Sequence, residues 1–355
     1  MASRQYPFHP WWFLLLFLAV SPAWTLEIEP VLDDQYLAKL DQMIDSAQTS
    51  LDIVAFEFLT ENGEMKRLAG KLIDRVKVNP AFKVRVFLEG DKDGLGERNR
   101  QTADWFNANG IQAFLDSTDC TTHTKAVCAD HQTLLVGSTN LSNTSVRRNN
   151  EANVLIRSPE IGAGFESYFQ TILSDQVATQ SYTEPTGAVT LVPDAAYFPA
   201  LLETIRTASS SLDIIMYYCA FSDKRRNEVW DILEALGERA KAGVRVRVIF
   251  DQSVKFSRHI TWANLRAAGY LRQQGVTEVY FDDPDKFSHA KVVVKDGREV
   301  LLGSTNWYVS DFNRNHQLNV LIRQPEAGRL FQDYIVRKIS EECREPHSSF
   351  AGRKD

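Results

Sequence analysis

Four cysteines and four methionines among 355 residues, with twelve prolines, leave little room for several structural classes. So few cysteines exclude a disulfide-dense scaffold. None of the spacings among Cys120, Cys128, Cys219 and Cys343 matches a zinc-binding pattern. Positive charge is also scarce. Forty Lys and Arg against 46 Asp and Glu leave a net charge of −6, which argues against a surface that grips polyanions everywhere but allows a local basic cleft. At 44% apolar and 24% charged, the composition is that of a globular protein, neither disordered nor fibrous. Long apolar runs are missing everywhere except the N-terminus.

There, Arg4 precedes an unbroken apolar run from Trp11 to Val20, and Ser21-Pro22-Ala23 places small residues before Trp24. This order predicts a secretory signal peptide over residues 1–23. A retained anchor is the alternative, but a spanning helix wants ~20 apolar residues and Pro22 falls inside the stretch. Either way the body is expected to be exported, secreted or periplasmic, with an N-terminal membrane anchor as the variant. A disulfide between Cys120 and Cys128 is not expected. An extended segment from His123 would carry Cys128 ~15 Å away at ~3.3 Å per residue, whereas a bridge needs Cα atoms within ~7 Å. Free thiols are expected instead.

The chain repeats itself. "TSLDIVAFEF" (49–58) returns as "SSLDIIMYYC" (210–219), and "VRVFLEG" (84–90) as "VRVIFDQ" (246–252). "NGIQAFLDS" (109–117) matches "QGVTEVYFDD" (274–283), and "NNEANVLIRSPE" (149–160) matches "NHQLNVLIRQPE" (315–326). Two homologous halves follow, 24–178 and 188–345, joined by a polar stretch and trailed by a flexible tail, 346–355.

Within each half, short β-branched runs alternate with helical patterns. "YLAKLDQMIDSA" and "FPALLETIRTA" carry apolar residues at helical spacing ahead of strands beginning at Leu51 and Leu212. Residues 226–243 end in basic residues and Gly243, a helix-stop signal. The expected fold class is α/β: two α-β-α sandwich halves, each with a mixed, mostly parallel sheet, packed about a pseudo-two-fold axis. Each half then holds a pair of apolar runs separated by a turn, at Asp130-His131 and at Asp296-Gly297.

These paired runs carry the chemistry. "THTKAVCADHQTLLVGSTN" (122–140) and "SHAKVVVKDGREVLLGSTN" (288–306) share the pattern H-x-K-x4-D-x6-G-S-x-N. Residues i and i+2 of a strand share a face, so His123 projects with Lys125, His289 with Lys291, Ser138 with Asn140, and Ser304 with Asn306. Each half thus offers an imidazole, an ammonium and a carboxamide at one point, a donor set sized for phosphate around a titratable nucleophile. Lys125, Asn140, Lys291 and Asn306 are the expected phosphate ligands. Asp130 and Asp296 complete the motif as turn-forming, structural members of the catalytic hairpins.

The doubled pattern resembles the phospholipase D superfamily over essentially the whole body of the chain. The resemblance implies two-step phosphodiester chemistry without a metal or other cofactor: one histidine attacks phosphorus, and the other protonates the leaving oxygen and then activates water or an alcohol. Family practice assigns the nucleophile to the first half, hence His123, with His289 as acid and base. Ser138 and Ser304 are supporting residues. Eleven residues past each asparagine stand Glu151 and Gln317. In relatives a carboxylate at this point orients the imidazole, so Glu151 is expected to support His123, and Gln317 to back His289, with Asp311 as a possible substitute.

Phospholipids and nucleic acids both present phosphodiesters. Lys224, Arg225, Arg226, Arg147 and Arg148 could track a polynucleotide or meet anionic head groups, and aromatics at 216–221 and 305–309 could stack on bases or line an acyl groove. Export and net acidity favour a phospholipid substrate, and with it a membrane surface. Nucleic acid is the alternative substrate, and no obligate protein partner is expected.

Overall fold

The computed structural model describes residues 26–90, 94–117, 120–253 and 257–346; the expected signal peptide and nearly all of the tail lie outside them. No helix among the described residues is long and apolar enough to cross a membrane.

The first half contributes strands β1 (Glu27–Leu32), β2 (Ser50–Ala55), β3 (Lys83–Leu88), β4 (Gln112–Leu115), β5 (Lys125–Ala129), β6 (Thr133–Gly137) and β7 (Ala152–Arg157). They form one sheet in the order β1-β7-β6-β5-β2-β3-β4. The second half repeats it with β8 (Tyr182–Thr183), β9 (Val189–Pro193), β10 (Ser211–Met216), β11 (Arg245–Phe250), β12 (Glu278–Phe281), β13 (Lys291–Lys295), β14 (Glu299–Gly303) and β15 (Leu318–Arg323), ordered β12-β11-β10-β13-β14-β15-β9-β8. The polar join is therefore not wholly irregular: β8 lies within it and pairs with β9.

Both sheets are mixed, as expected, but parallel pairing is the minority. It is confined to β2-β3-β4 and to β10-β11-β12, which are joined through helices. The motif hairpins pair antiparallel because their three-residue turns, 130–132 and 296–298, permit nothing else, and β7 and β15 return beside them antiparallel as well. In these turns Asp130 (φ 54°) and His131 (φ 51°), and likewise Asp296 (φ 54°) and Gly297 (φ 62°), adopt the left-handed conformation of a tight hairpin.

The helices of the first half are α1 (Gln35–Ser46), α2 (Gly63–Val78), α3 (Gly94–Ala108), α4 (Ser145–Arg148) and α5 (Pro159–Leu173). Those of the second are α6 (Tyr197–Arg206), α7 (Glu228–Lys241), α8 (Arg258–Gln273), α9 (Val309–Asn313) and α10 (Pro325–Glu341). Helices α1 and α2 bury their apolar stripes on the outer face of the first sheet, and α6 to α8 do so on the second. Helices α5 and α10 lie between the sheets. Phe165, Phe169, Phe331 and Tyr334 share one core there with Val136, Val154, Val292 and Val320. Strands buried on both faces explain the near-continuous apolar runs, with all six residues of β2 and all five of β5 buried.

Candidate active site

The two halves are stitched together where their motif strands begin. The His123 N–H donates to His316 O (2.8 Å) and the His316 N–H to Thr121 O (2.9 Å). In the pseudo-symmetric place the His289 N–H donates to Asn150 O (2.9 Å) and the Asn150 N–H to Phe287 O (2.9 Å). Each histidine is thus held by backbone of the opposite half, and the two imidazole centroids stand 6.4 Å apart at 81°. His289 is buried, while His123 is partly exposed.

These bridges decide which carboxylate meets which histidine. Because Asn150 pairs with Ser288, the next residue, Glu151, arrives beside His289: Oε2 lies 3.2 Å from Nδ1, which is also 3.0 Å from Ser138 O. Because His316 pairs with Thr122, Gln317 Oε1 arrives 3.2 Å from His123 Nδ1. The expected pairing of Glu151 with His123 and Gln317 with His289 is therefore reversed. Asp311 does not replace Gln317 either. Its carboxylate accepts from the Asn306 N–H (3.2 Å), Asn306 Nδ2 (3.1 Å) and Asn315 Nδ2 (2.6 Å). In the first half Ser145 occupies that place, donating to Glu151 Oε1 (2.6 Å) and accepting from the Asn140 N–H (3.2 Å).

The rest of the motif builds this frame. Gly137 and Gly303 let β6 and β14 approach β7 and β15, since a Cβ on either would lie 2.5 Å from Asn153 Cα or Asn319 Cα. Ser138 Oγ then donates to Glu151 Oε2 (2.5 Å) and accepts from the Ala152 N–H (3.0 Å). Ser304 Oγ does the same for Gln317 Oε1 (2.6 Å) and the Leu318 N–H (3.1 Å). Asp130 and Asp296 sit at the far ends of their hairpins. Asp130 gathers the N–H groups of Gln48, Thr49 and Ser50 at 2.8, 2.6 and 3.0 Å. Asp296 gathers those of Ser209, Ser210 and Ser211 at 3.1, 2.6 and 3.0 Å. Neither touches the histidines.

Several neighbours were not among the expected site residues. Phe56 packs edge-on to His123 with centroids 5.1 Å apart, and Tyr217 does so to His289 at 4.9 Å; the lysine ammoniums lie 5.0 and 4.9 Å from the same two rings. Glu89 accepts the N–H of Thr122, and Asp251 that of Ser288 (2.9 Å), each fixing the residue before a histidine. Both are legible in the repeat: "VRVFLEG" and "VRVIFDQ" align Glu89 with Asp251.

The site is poised for an anion. Lys125 and Lys291 are buried, donating to the carbonyls of His123 and His289. Burial pushes the Lys291 ammonium down to about 7. Lys125 is held well below its usual range by burial and by Lys291. Desolvation and the lysines hold His123 well below 6.5. Burial and Lys291 bring His289 to about 4, against the opposing pull of Glu151. Glu151 itself is lowered, because His289, Lys291 and Ser138 outweigh its burial. The side-chain Oδ1 atoms of Asn140 and Asn306 are buried without a partner among the described residues.

The basic residues at the rim are less available than their number suggests. Arg226 is paired with Asp231 and Glu234, and Arg147 with Glu64; Lys224, Arg225 and Arg148 are exposed. On the second-half side, Tyr308 (41% exposed) lies 5.8 Å from Tyr218, which also meets His259 at 6.1 Å. All four cysteines are free thiols.

Residues 40–173 and 201–339 match the family described as cardiolipin synthase, phospholipase D-like domain. The chain belongs to the phospholipase D superfamily. Its curated relatives include the mitochondrial cardiolipin hydrolases of Danio rerio and Mus musculus. The first is 27% identical over 140 residues (39% of this chain, 56% of that protein), the second 28% identical over 171 residues (48% and 70%). The chain spans about half the length of the first such relatives, those of Danio rerio and Homo sapiens. Among solved structures, phosphatidylserine synthase of Haemophilus influenzae Rd KW20 superposes with a TM-score of 0.72 at 13% identity, covering 92% of this chain and 89% of that one. Polyphosphate kinase of Porphyromonas gingivalis gives 0.60 at 14% identity, covering 93% and 53%. At such identities the likeness concerns the fold.

Proposed function

We propose that this chain is an exported phospholipase D-type phosphodiesterase and phosphatidyltransferase. It acts on phospholipid phosphodiester bonds through a phosphohistidine, without a metal in the chemical step. The observation that carries the reading is the pair of imidazoles 6.4 Å apart, each with a buried lysine two residues on, leaving room for one phosphorus between them.

The crossed partners support His289 rather than His123 as nucleophile. Donating Nδ1–H to Glu151 leaves the lone pair on Nε2, and the carboxylate stabilises the positive charge the ring gains on attack. Nε2 bonds to phosphorus as the ester P–O bond breaks, and the leaving oxygen takes a proton from Nε2 of His123. A neutral amide behind His123 supplies no charge to stabilise its cation, which suits a proton donor. In the second step water or an alcohol gives its proton back to His123 and attacks phosphorus, and the P–N bond breaks. Lys125, Lys291, Asn140 and Asn306 hold the non-bridging oxygens, the task a divalent cation performs elsewhere.

The family description, the names of the relatives, the net charge of −6 and the pairing of Arg226 and Arg147 with carboxylates support phospholipid over polynucleotide. The apolar run at Trp11–Val20 supports export. The test gives purified protein, in excess chelator, phosphatidylcholine, phosphatidylglycerol and single-stranded DNA side by side, with and without a primary alcohol. Phosphatidic acid, diverted to phosphatidyl-alcohol when alcohol is present, is the expected result. DNA cleavage beside inert lipids makes the enzyme an endonuclease, and strict dependence of the chemical step on added metal removes the mechanism.

A further inference from the structure

Behind the stitch that holds His123 lies a cluster the reaction does not use. Asp116, Cys120, Asp175 and His316 each offer one ligand atom, and these four atoms lie within 4.8 Å of one another. The Cys120 sulfur is 3.7 Å from His316 Nε2 and 3.7 Å from Asp175 Oδ1. Ligands at ~2.3 Å (sulfur) and ~2.05 Å (nitrogen) on a tetrahedral zinc would stand ~3.6 Å apart. His316 is fully buried, and its other nitrogen, Nδ1, lies 3.4 Å from the buried Asp194. That carboxylate leaves Nε2 as the free lone pair, the arrangement that orients metal-bound imidazoles.

The pseudo-symmetry supplies an independent argument. The equivalent seam holds Asp282, Asn150 and Asp33 in place of Asp116, His316 and Asp194, and there a cation is present. Lys338 Nζ lies 2.7 Å from Asn150 Oδ1, 2.7 Å from Glu342 and 3.1 Å from Asp33. Counting from the proline that opens each helix, Lys338 of α10 corresponds to Ile172 of α5. The first seam therefore has no ammonium at the matching helix position and holds a thiol and an imidazole instead. Among the described residues, the only side chain ion-paired with Asp116, Asp175 or Asp194 is His316.

We infer that Asp116, Cys120, Asp175 and His316 bind a divalent transition metal of the zinc class, which clamps the two halves together in place of the buried lysine of the opposite seam. Thiolate, imidazole and carboxylates are the donor set for such an ion. On binding, the Cys120 S–H bond breaks, sulfur bonds to the metal and the proton leaves to solvent. The alternative use, a Cys120-His316-Asp194 nucleophilic triad, is opposed by Asp116 and Asp175. Two carboxylates beside the sulfur disfavour a free thiolate nucleophile, whereas a bound cation neutralises them.

The test is elemental analysis of the full chain, followed by removal of the metal with chelator and titration of the metal-free protein with zinc and with cobalt(II). About one metal per chain is expected, rebinding with release of about one proton and with thiolate-to-cobalt charge-transfer absorption. Its removal should lower the melting temperature while leaving turnover at lower temperature intact. Cys120→Ser and His316→Asn should each lower affinity for zinc by about tenfold or more. A protein that takes up no metal, or cobalt bound without the thiolate band, overturns the inference. The cobalt spectrum of the unaltered chain decides the matter even if either variant folds poorly.

Discussion

Glu151 and His289 are 138 positions apart and belong to opposite halves, yet the Glu151 carboxylate stands 3.2 Å from the His289 ring. His123 meets the amide of Gln317 at the same distance. The two sites share their backbone hydrogen bonds but have a charged partner on one side and a neutral one on the other, which on the proposed mechanism gives the histidines different work.

That division of work fixes where the covalent adduct forms. Acid-quenched enzyme should carry its phosphoryl group on His289. In His123→Asn, turnover of an alkyl phosphodiester should fall by ~10²–10⁴-fold, the worth of general acid help. An aryl ester, whose leaving group needs no proton, should still load His289 at close to the normal rate. Mass spectrometry of the quenched protein checks this, and an adduct on His123 reverses the assignment.

Phosphate binding should draw protons from solvent. Lys125, Lys291, His123 and His289 all sit below their ordinary values, and mutual repulsion contributes to each except Lys291, which is lowered by burial alone. An anion among them favours every protonated form, so each value rises on binding. With Lys291 near 7 in the free protein, net uptake at pH 7 is expected. Calorimetry with inorganic phosphate in buffers of differing ionisation enthalpy measures it, and net release contradicts it.

Removing a turn aspartate should cost stability and spare chemistry. Asp296 is lowered because the N–H and hydroxyl groups of residues 209–211 outweigh its partial burial. Bonds of this kind to a charged group contribute ~1.5–3 kcal/mol. Asp296→Ala should lower unfolding free energy in urea by about that amount, while kcat per folded molecule stays within twofold. Loss of kcat without loss of stability would place Asp296 in the chemistry after all.

Much of this architecture is legible in the residues themselves. The doubled H-x-K-x4-D-x6-G-S-x-N pattern locates the hairpins and both histidines, and helical periodicity locates α1, α6 and α7 within two residues. The crossing of Glu151 and Gln317 is not legible, because spacing along one chain reports neighbours within a half. The bridges Asn150–Ser288 and Thr122–His316 form only after the halves meet. Strand direction escapes for a related reason. Apolar runs reveal burial, whereas the tight turns at Asp130 and Asp296 force antiparallel return. The rim arginines illustrate a third limit: Arg147 is claimed by Glu64, a residue 83 positions away.

The carboxylate that survives on only one of the two seats also gives the cleft a direction. Were both halves alike, a diester could enter either way round and lose either substituent. On the proposed mechanism, with Glu151 behind one ring and Gln317 behind the other, a substrate would be productive in a single orientation, its departing arm toward His123 of the first half. Two like seats give a symmetric cleft; the difference at these two positions would make it regioselective.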